Sequence, residues 1–162
     1  MYQKIMVPLD GSEVAECVFP HVQAFITGCK TNTIVFVRVI EPTPSGFRGA
    51  SSATSKENLE KILVHTKKFE EERKTSAEGY LKAVMGRIKP NGVTFQTEVI
   101  VGKTAEGLID YAESNDIDLI LIATHGRSGV SRWVRGSIAD RVLRASKVPV
   151  LMVRAPGTMR EV

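Results

Sequence analysis

A chain of 162 residues, 43% hydrophobic and 25% charged, can bury one core and is too ordinary in composition to be disordered or fibrous. It has no run of about 18 apolar residues, and its opening MYQKIMVPLD lacks the apolar stretch and cleavage site of a secretory leader, so no membrane contact and a cytoplasmic location are expected. The net charge of +4 is uneven: residues 1–124 hold 14 Lys/Arg against 16 Asp/Glu and residues 125–162 hold 8 against 2, a basic last quarter that favours an anionic partner.

In chain order, Gln3 to Leu9 reads as a first strand, and Asp10-Gly11-Ser12 turns it into a helix with Ser12 as N-cap. Ala15, Val18, Phe19, Val22, Phe25 and Ile26 recur at helical spacing; Pro20 predicts a kink and Gly28 the end. Cys17 and Cys29 fall on this one predicted helix, about 18 Å apart at the helical rise, and are expected to be free thiols. Thr33 to Ile40 (TIVFVRVI) is β-branched and apolar, a buried strand. Glu41 to Thr54, rich in Pro, Gly, Ser and Ala, reads as a mobile loop of lid length.

Thr54 and Glu57 have capping-box spacing. The long helix that follows is expected to bury Leu59, Ile62, Leu63, Phe69, Ala77, Tyr80, Leu81, Val84, Met85 and Ile88, with Glu70 to Lys74 in solvent. Pro90-Asn91-Gly92 stops it. Val93 to Val101 alternates, with Val93, Phe95, Val99 and Val101 inward and Thr94, Gln96 and Glu98 outward. A helix from Thr104 to about Asn115, a central strand at Asp118 to Ala123, a short helix at Ile138 to Ala145 and a last strand at Pro149 to Val153 complete the order.

Strictly alternating strands and helices imply a single-domain, doubly wound, five-stranded parallel sheet with helices on both faces, and the alternating third strand and short fifth strand suggest that these two are the edges, in the order 3-2-1-4-5. The expected domain is 1–155, with a tail at 156–162. Such folds bind ligands beyond the carboxyl ends of the strands, where strand order reverses. That points at Asp10 and at the segment from Ala123 onward.

The segment Ala123-Thr-His-Gly126, nine residues, Gly136-Ser137 and then a helix has the features of a phosphate cradle. Gly126 and Gly129 let the backbone approach a ligand. The new helix presents unpaired N–H groups and a favourable dipole. Ser137 adds a hydroxyl, and Arg127, Arg132 and Arg135 add charge. Read plainly, the same segment is a long surface loop turning a corner, and Asp10 a cap for the first helix.

Almost the whole chain resembles the universal stress protein family, from KIMVPLDGSE to THGRSGVSRWVRGSIADRVLRASKVPVLMVR. Its ATP-binding members carry G-x2-G-x9-G-[S/T]. The later two glycines fall on Gly126 and Gly136 and the final position on Ser137, while the first falls on Ala123, a departure. The resemblance implies a Rossmann-like fold of the adenine nucleotide alpha hydrolase type and a bound ATP, ADP or AMP, with Mg or Mn accompanying the phosphates. It places Asp10 and the backbone near Val39 at the adenosine portion, and Thr124, His125, Gly126, Gly136, Ser137 and Ile138 at ribose and phosphates; Pro8, Ala123 and Arg127 complete the expected nucleotide-binding set.

Catalytic patterns are otherwise missing. Gly102-Lys103-Thr104 imitates the end of a Walker A loop, but Thr97 stands where its first glycine belongs, so it reads as a strand-to-helix turn. Gly126-Arg-Ser-Gly129 is one residue short of a nucleophile elbow. A regulatory binder with at most slow hydrolysis is the expectation; a nucleotide-free interaction module and a weak ATPase are the alternatives. Nucleic acid is not expected as a partner. The apolar strand at 149–153 is expected to sit at a sheet edge and pair with its twin in a homodimer, as the resemblance also implies.

Overall fold

The computed structural model describes residues 2–42, 56–124 and 137–155, without the side chains of 56–60, 62 and 63. The expected lid beyond Pro42, the Thr54 cap, the segment from His125 to Gly136 and the tail lie outside the described residues. Five parallel strands, β1 (Lys4–Pro8), β2 (Thr33–Ile40), β3 (Thr94–Val101), β4 (Leu119–Thr124) and β5 (Val150–Arg154), form one sheet of order β3-β2-β1-β4-β5. The helices are α1 (Glu13–Glu16), α2 (Phe19–Gly28), α3 (Lys56–Arg87), α4 (Thr104–Ser114) and α5 (Ile138–Ala145).

Period-two alternation splits the strands between two cores. Ile5, Val7, Ile34, Phe36 and Leu121 pack beneath Ala15 of α1, Val18 at the N-cap of α2, and Val22 and Ile26 of α2, and beneath Leu81 and Val84 of α3 and Ile88 just past its end. Met6, Val35, Val37, Ile120 and Ile122 face the other way, onto Ala105, Leu108 and Ala112 of α4 and Ala139 and Val142 of α5. Each fully buried side chain of this size contributes about 1.5–3 kcal/mol. Continuous apolar runs such as TIVFVRVI are what a strand covered on both faces requires.

Five local expectations are corrected. Pro20 does not kink one helix; it lies in the first turn of a separate helix, α2, where its missing N–H leaves no intrahelical bond unmade. Cys17 and Cys29 therefore do not share a helix: Cys17 ends α1 and Cys29 ends α2, both as free thiols. Phe69 is 51% exposed rather than buried, because the helical period of α3 runs on past the end of the sheet. Val101 is likewise exposed, whereas Ile100 packs inward on the α4 side. The fourth strand also starts one residue late. Asp118 precedes it, and its carboxylate accepts the N–H groups of Gln3 and Lys4 at 2.8 Å each, tying β1 to the start of β4.

Candidate functional site

β1 leaves the sheet between β2 and β4, where strand order reverses. The Leu9 N–H still reaches Val37 O at 2.8 Å, and then the chain turns away at Asp10. Asp10 Oδ1 accepts the Ser12 N–H at 2.8 Å, and Ser12 Oγ accepts the Ala15 N–H at 3.1 Å, which caps α1. Gly11 makes the bend with φ +92°, a conformation that favours glycine. Across the crevice β4 ends at Ala123 and Thr124. Beyond it Ser137 caps α5, its Oγ accepting the Asp140 N–H at 3.2 Å. An oxygen that accepts in this way keeps its own proton to donate. The N–H groups of Ile138 and Ala139, in the first turn of α5, have no partner within the helix.

These ends enclose a cavity of about 370 Å³, within the usual range of small-molecule sites. Val37 and Val39 of β2, Ile122 of β4 and Leu108 of α4 make apolar walls; Asp10, Ser12, Thr104, Thr124 and Ser137 supply polar atoms at its rim. The sequence-derived candidates Pro8, Asp10, Val39, Ala123, Thr124, Ser137 and Ile138 all line it. His125, Gly126, Arg127 and Gly136 lie outside the described residues. Asp10 lines the cavity and also braces its own turn.

Ala123 is paired with Val153 inside the sheet. Among the described non-glycine residues only Asn91 and Asp116 have positive φ, so the backbone at 123 makes no demand that a methyl group violates.

Thr104, Leu108, Ser12 and Val37 also border the cavity and were not singled out from sequence. The strand-to-helix reading of Gly102-Lys103-Thr104 holds: β3 ends at Val101 and α4 begins at Thr104. The Thr104 hydroxyl is held by Glu41 Oε1 at 2.9 Å.

Behind the Asp10 turn, on the α3 side of the sheet, the Tyr80 hydroxyl donates to Glu16 Oε1 at 3.0 Å and Arg87 Nη2 reaches the same oxygen at 2.7 Å. The hydrogen bond from Arg87 holds the Glu16 carboxyl below its ordinary range, against the opposing effect of burial. Burial first, and then the Glu16 carboxylate, push the Tyr80 phenol well above its usual value.

The model of the universal stress protein family matches residues 1–154. The chain belongs to that family. The universal stress protein MJ0577 of Methanocaldococcus jannaschii is 30% identical over 158 residues, covering 95% of this chain and 96% of the relative. The solved structure of MJ0577 superposes with a TM-score of 0.75 at 23% identity, over 98% of this chain and 99% of that one. A universal stress protein in complex with cAMP gives a TM-score of 0.66 at 20% identity, with 96% and 99% coverage. A family protein of Arabidopsis thaliana with AMP bound gives 0.57 at 12% identity, with 95% and 92% coverage. These likenesses fix the fold of this universal stress protein as the Rossmann-like arrangement of its relatives.

Proposed function

We propose that this universal stress protein binds an adenine nucleotide, ATP, ADP or AMP, in the cavity between the ends of β1 and β4, and serves a regulatory or stress-response role by binding. The observation that carries the reading is the cavity itself, apolar in its walls and polar at its rim, at the edge where strand order reverses. In this reading a flat base lies against Val37 and Val39, and Asp10 and the Pro8 backbone meet the adenosine portion. Ala123 and Thr124 border the ribose. The phosphates lie at Ser137 and Ile138, where free amides and the helix dipole favour negative charge.

His125, Gly126, Arg127 and Gly136 belong, by their sequence pattern, to the same phosphate end. The relatives with cAMP or AMP bound support the ligand class. No three His, Cys, Asp or Glu side chains gather to hold a metal among the described residues. A Mg or Mn ion would therefore enter on the phosphate oxygens.

Asp10 is the one titratable side chain among the described residues lining the cavity, and its Oδ1 is committed to Ser12. One carboxylate without a partnered acid or nucleophile supports slow hydrolysis at most. The test is mass identification of the small molecules released from gently purified protein. An adenine nucleotide in stoichiometric amount is expected; release of none, together with capture of a protein partner at the same face, would favour the interaction module.

A further inference from the structure

Arg38 lies between Val37 and Val39 on β2, and alternation sends its side chain to the opposite face from the cavity those two valines line. Its guanidinium stands 5.2 Å from the centroid of the Tyr80 ring. It also stands close to the Asp10 turn. A Cβ built on Gly11 would stand 3.3 Å from Arg38 Nη2 and 3.4 Å from both Cζ and Nη1. Near-equal distances to three atoms of one plane mean that the guanidinium presents its flat face to the Gly11 backbone.

The cation thus lies over an aromatic ring and beside the turn, half-buried, and forms no ion pair among the described residues. The ring is in turn anchored: the Tyr80 hydroxyl is fixed by Glu16, and Glu16 by Arg87. The charge of Asp10 reaches this cluster, contributing to the upward push on the Tyr80 phenol.

We propose that Arg38 is a positioning residue for the nucleotide cavity: stacked over Tyr80 and filling the space beside Gly11, it fixes the Asp10 turn from behind, so that the contact Asp10 makes with ligand depends on a side chain that does not line the cavity. The inference rests on the nucleotide reading for its effect on binding. The turn itself can be read without ligand.

Two measurements on the full chain separate the two. The first is amide hydrogen exchange at Ser12, whose N–H is held by Asp10 Oδ1. Arg38→Met keeps the aliphatic stem and removes the charged plane, and it is expected to speed Ser12 exchange about tenfold with the core amides unchanged. Exchange at Ser12 equal to wild type would overturn the proposal whether or not the protein binds nucleotide. The second is a double-mutant cycle on ATP affinity by calorimetry. Arg38→Met is expected to weaken ATP about tenfold, and to add nothing in an Asp10→Ala background, because both changes remove the same contact.

Full additivity of the two losses would overturn the proposal, since a general loss of structure adds to the Asp10 defect. No ATP binding by wild type would sink the nucleotide reading and leave the Ser12 exchange result to decide the role of Arg38. If Arg38→Met does not fold, Arg38→Lys serves in both measurements. An ammonium cannot lie flat on two surfaces, so the same changes are expected at smaller size, and wild-type values in both would overturn the proposal.

Discussion

Glu41, the first residue beyond β2, accepts the Thr104 hydroxyl at 2.9 Å and the Thr104 N–H at 3.4 Å on one carboxylate oxygen. Its carbonyl oxygen accepts from Arg73 Nη1 at 2.9 Å. One exposed residue therefore ties α3 on one face of the sheet to α4 on the other. It also supplies the cap that Lys103, the residue at the N-cap position of α4, does not make. Glu41→Ala should cost about 0.5–2 kcal/mol, the range for removing an N-cap side chain. Urea denaturation at equal slope checks this, and Glu41→Gln should lose less because the acceptor oxygen remains.

The Glu16 carboxyl gives stability a defined pH dependence. Its folded pKa is depressed, chiefly by the Arg87 hydrogen bond, below an ordinary 4.5. The folded state thus favours the charged form. The resulting stability is present above the ordinary value and is lost as pH falls through the folded one. Comparing wild type with Glu16→Gln by urea denaturation should show a deficit in the variant at pH 7 that narrows as pH falls below the ordinary 4.5 and through the lower folded value. Arg87 is 54% exposed, so the deficit should be small. A gap of constant size across this range would contradict the assignment.

The outer edge of β5 predicts a two-fold dimer. Ile120 N–H donates to Pro149 O and Ala155 N–H to Thr124 O, each at 2.9 Å. A parallel ladder repeats every two residues, so the N–H groups of Val150, Met152 and Arg154 face away from β4. Leu151 is 39% exposed on the same short, apolar strand. An edge of this kind pairs readily with a second copy of itself. Val150→Pro removes an outward donor without touching the bonds to β4. Light scattering should show a dimer for wild type and a monomer for this variant; a wild-type monomer at tens of micromolar would refute edge pairing.

Ala123→Gly restores the first glycine of the family pattern. Because Ala123 lies in regular strand paired with Val153, the change should leave nucleotide affinity within about threefold, well under the tenfold that 1.4 kcal/mol represents. A large gain would mean that the methyl group blocks the ribose.

The sheet was legible because each strand carries its own signal. TIVFVRVI, for example, gives both the boundaries and the double burial of β2. The order β3-β2-β1-β4-β5 was legible in the alternating third strand and the short fifth strand, both of which suit an edge. Phe69 was misplaced for a geometric reason. A 32-residue α3 is about 48 Å long, while an eight-residue strand spans about 26 Å, so the helix outruns the sheet it covers. Period alone does not say where the partner ends. At the site, Asp10, Val39 and Ser137 could be read because they border the strand ends. Thr104 and Leu108 could not: α4 reaches the cavity only through the folding of β3 beside β2. Arg38 stayed hidden for the same reason, since its relation to Gly11 and Tyr80 joins three distant segments.

The most direct measurement is calorimetric titration of the full chain with ATP, ADP and AMP, repeated on Gly126→Val. The account predicts saturable, micromolar-range binding of at least one of them by wild type, and none by the variant, because the family pattern puts Gly126 where the proposed phosphate site needs a glycine. No heat from any of the three with wild-type protein freed of bound ligand would contradict it.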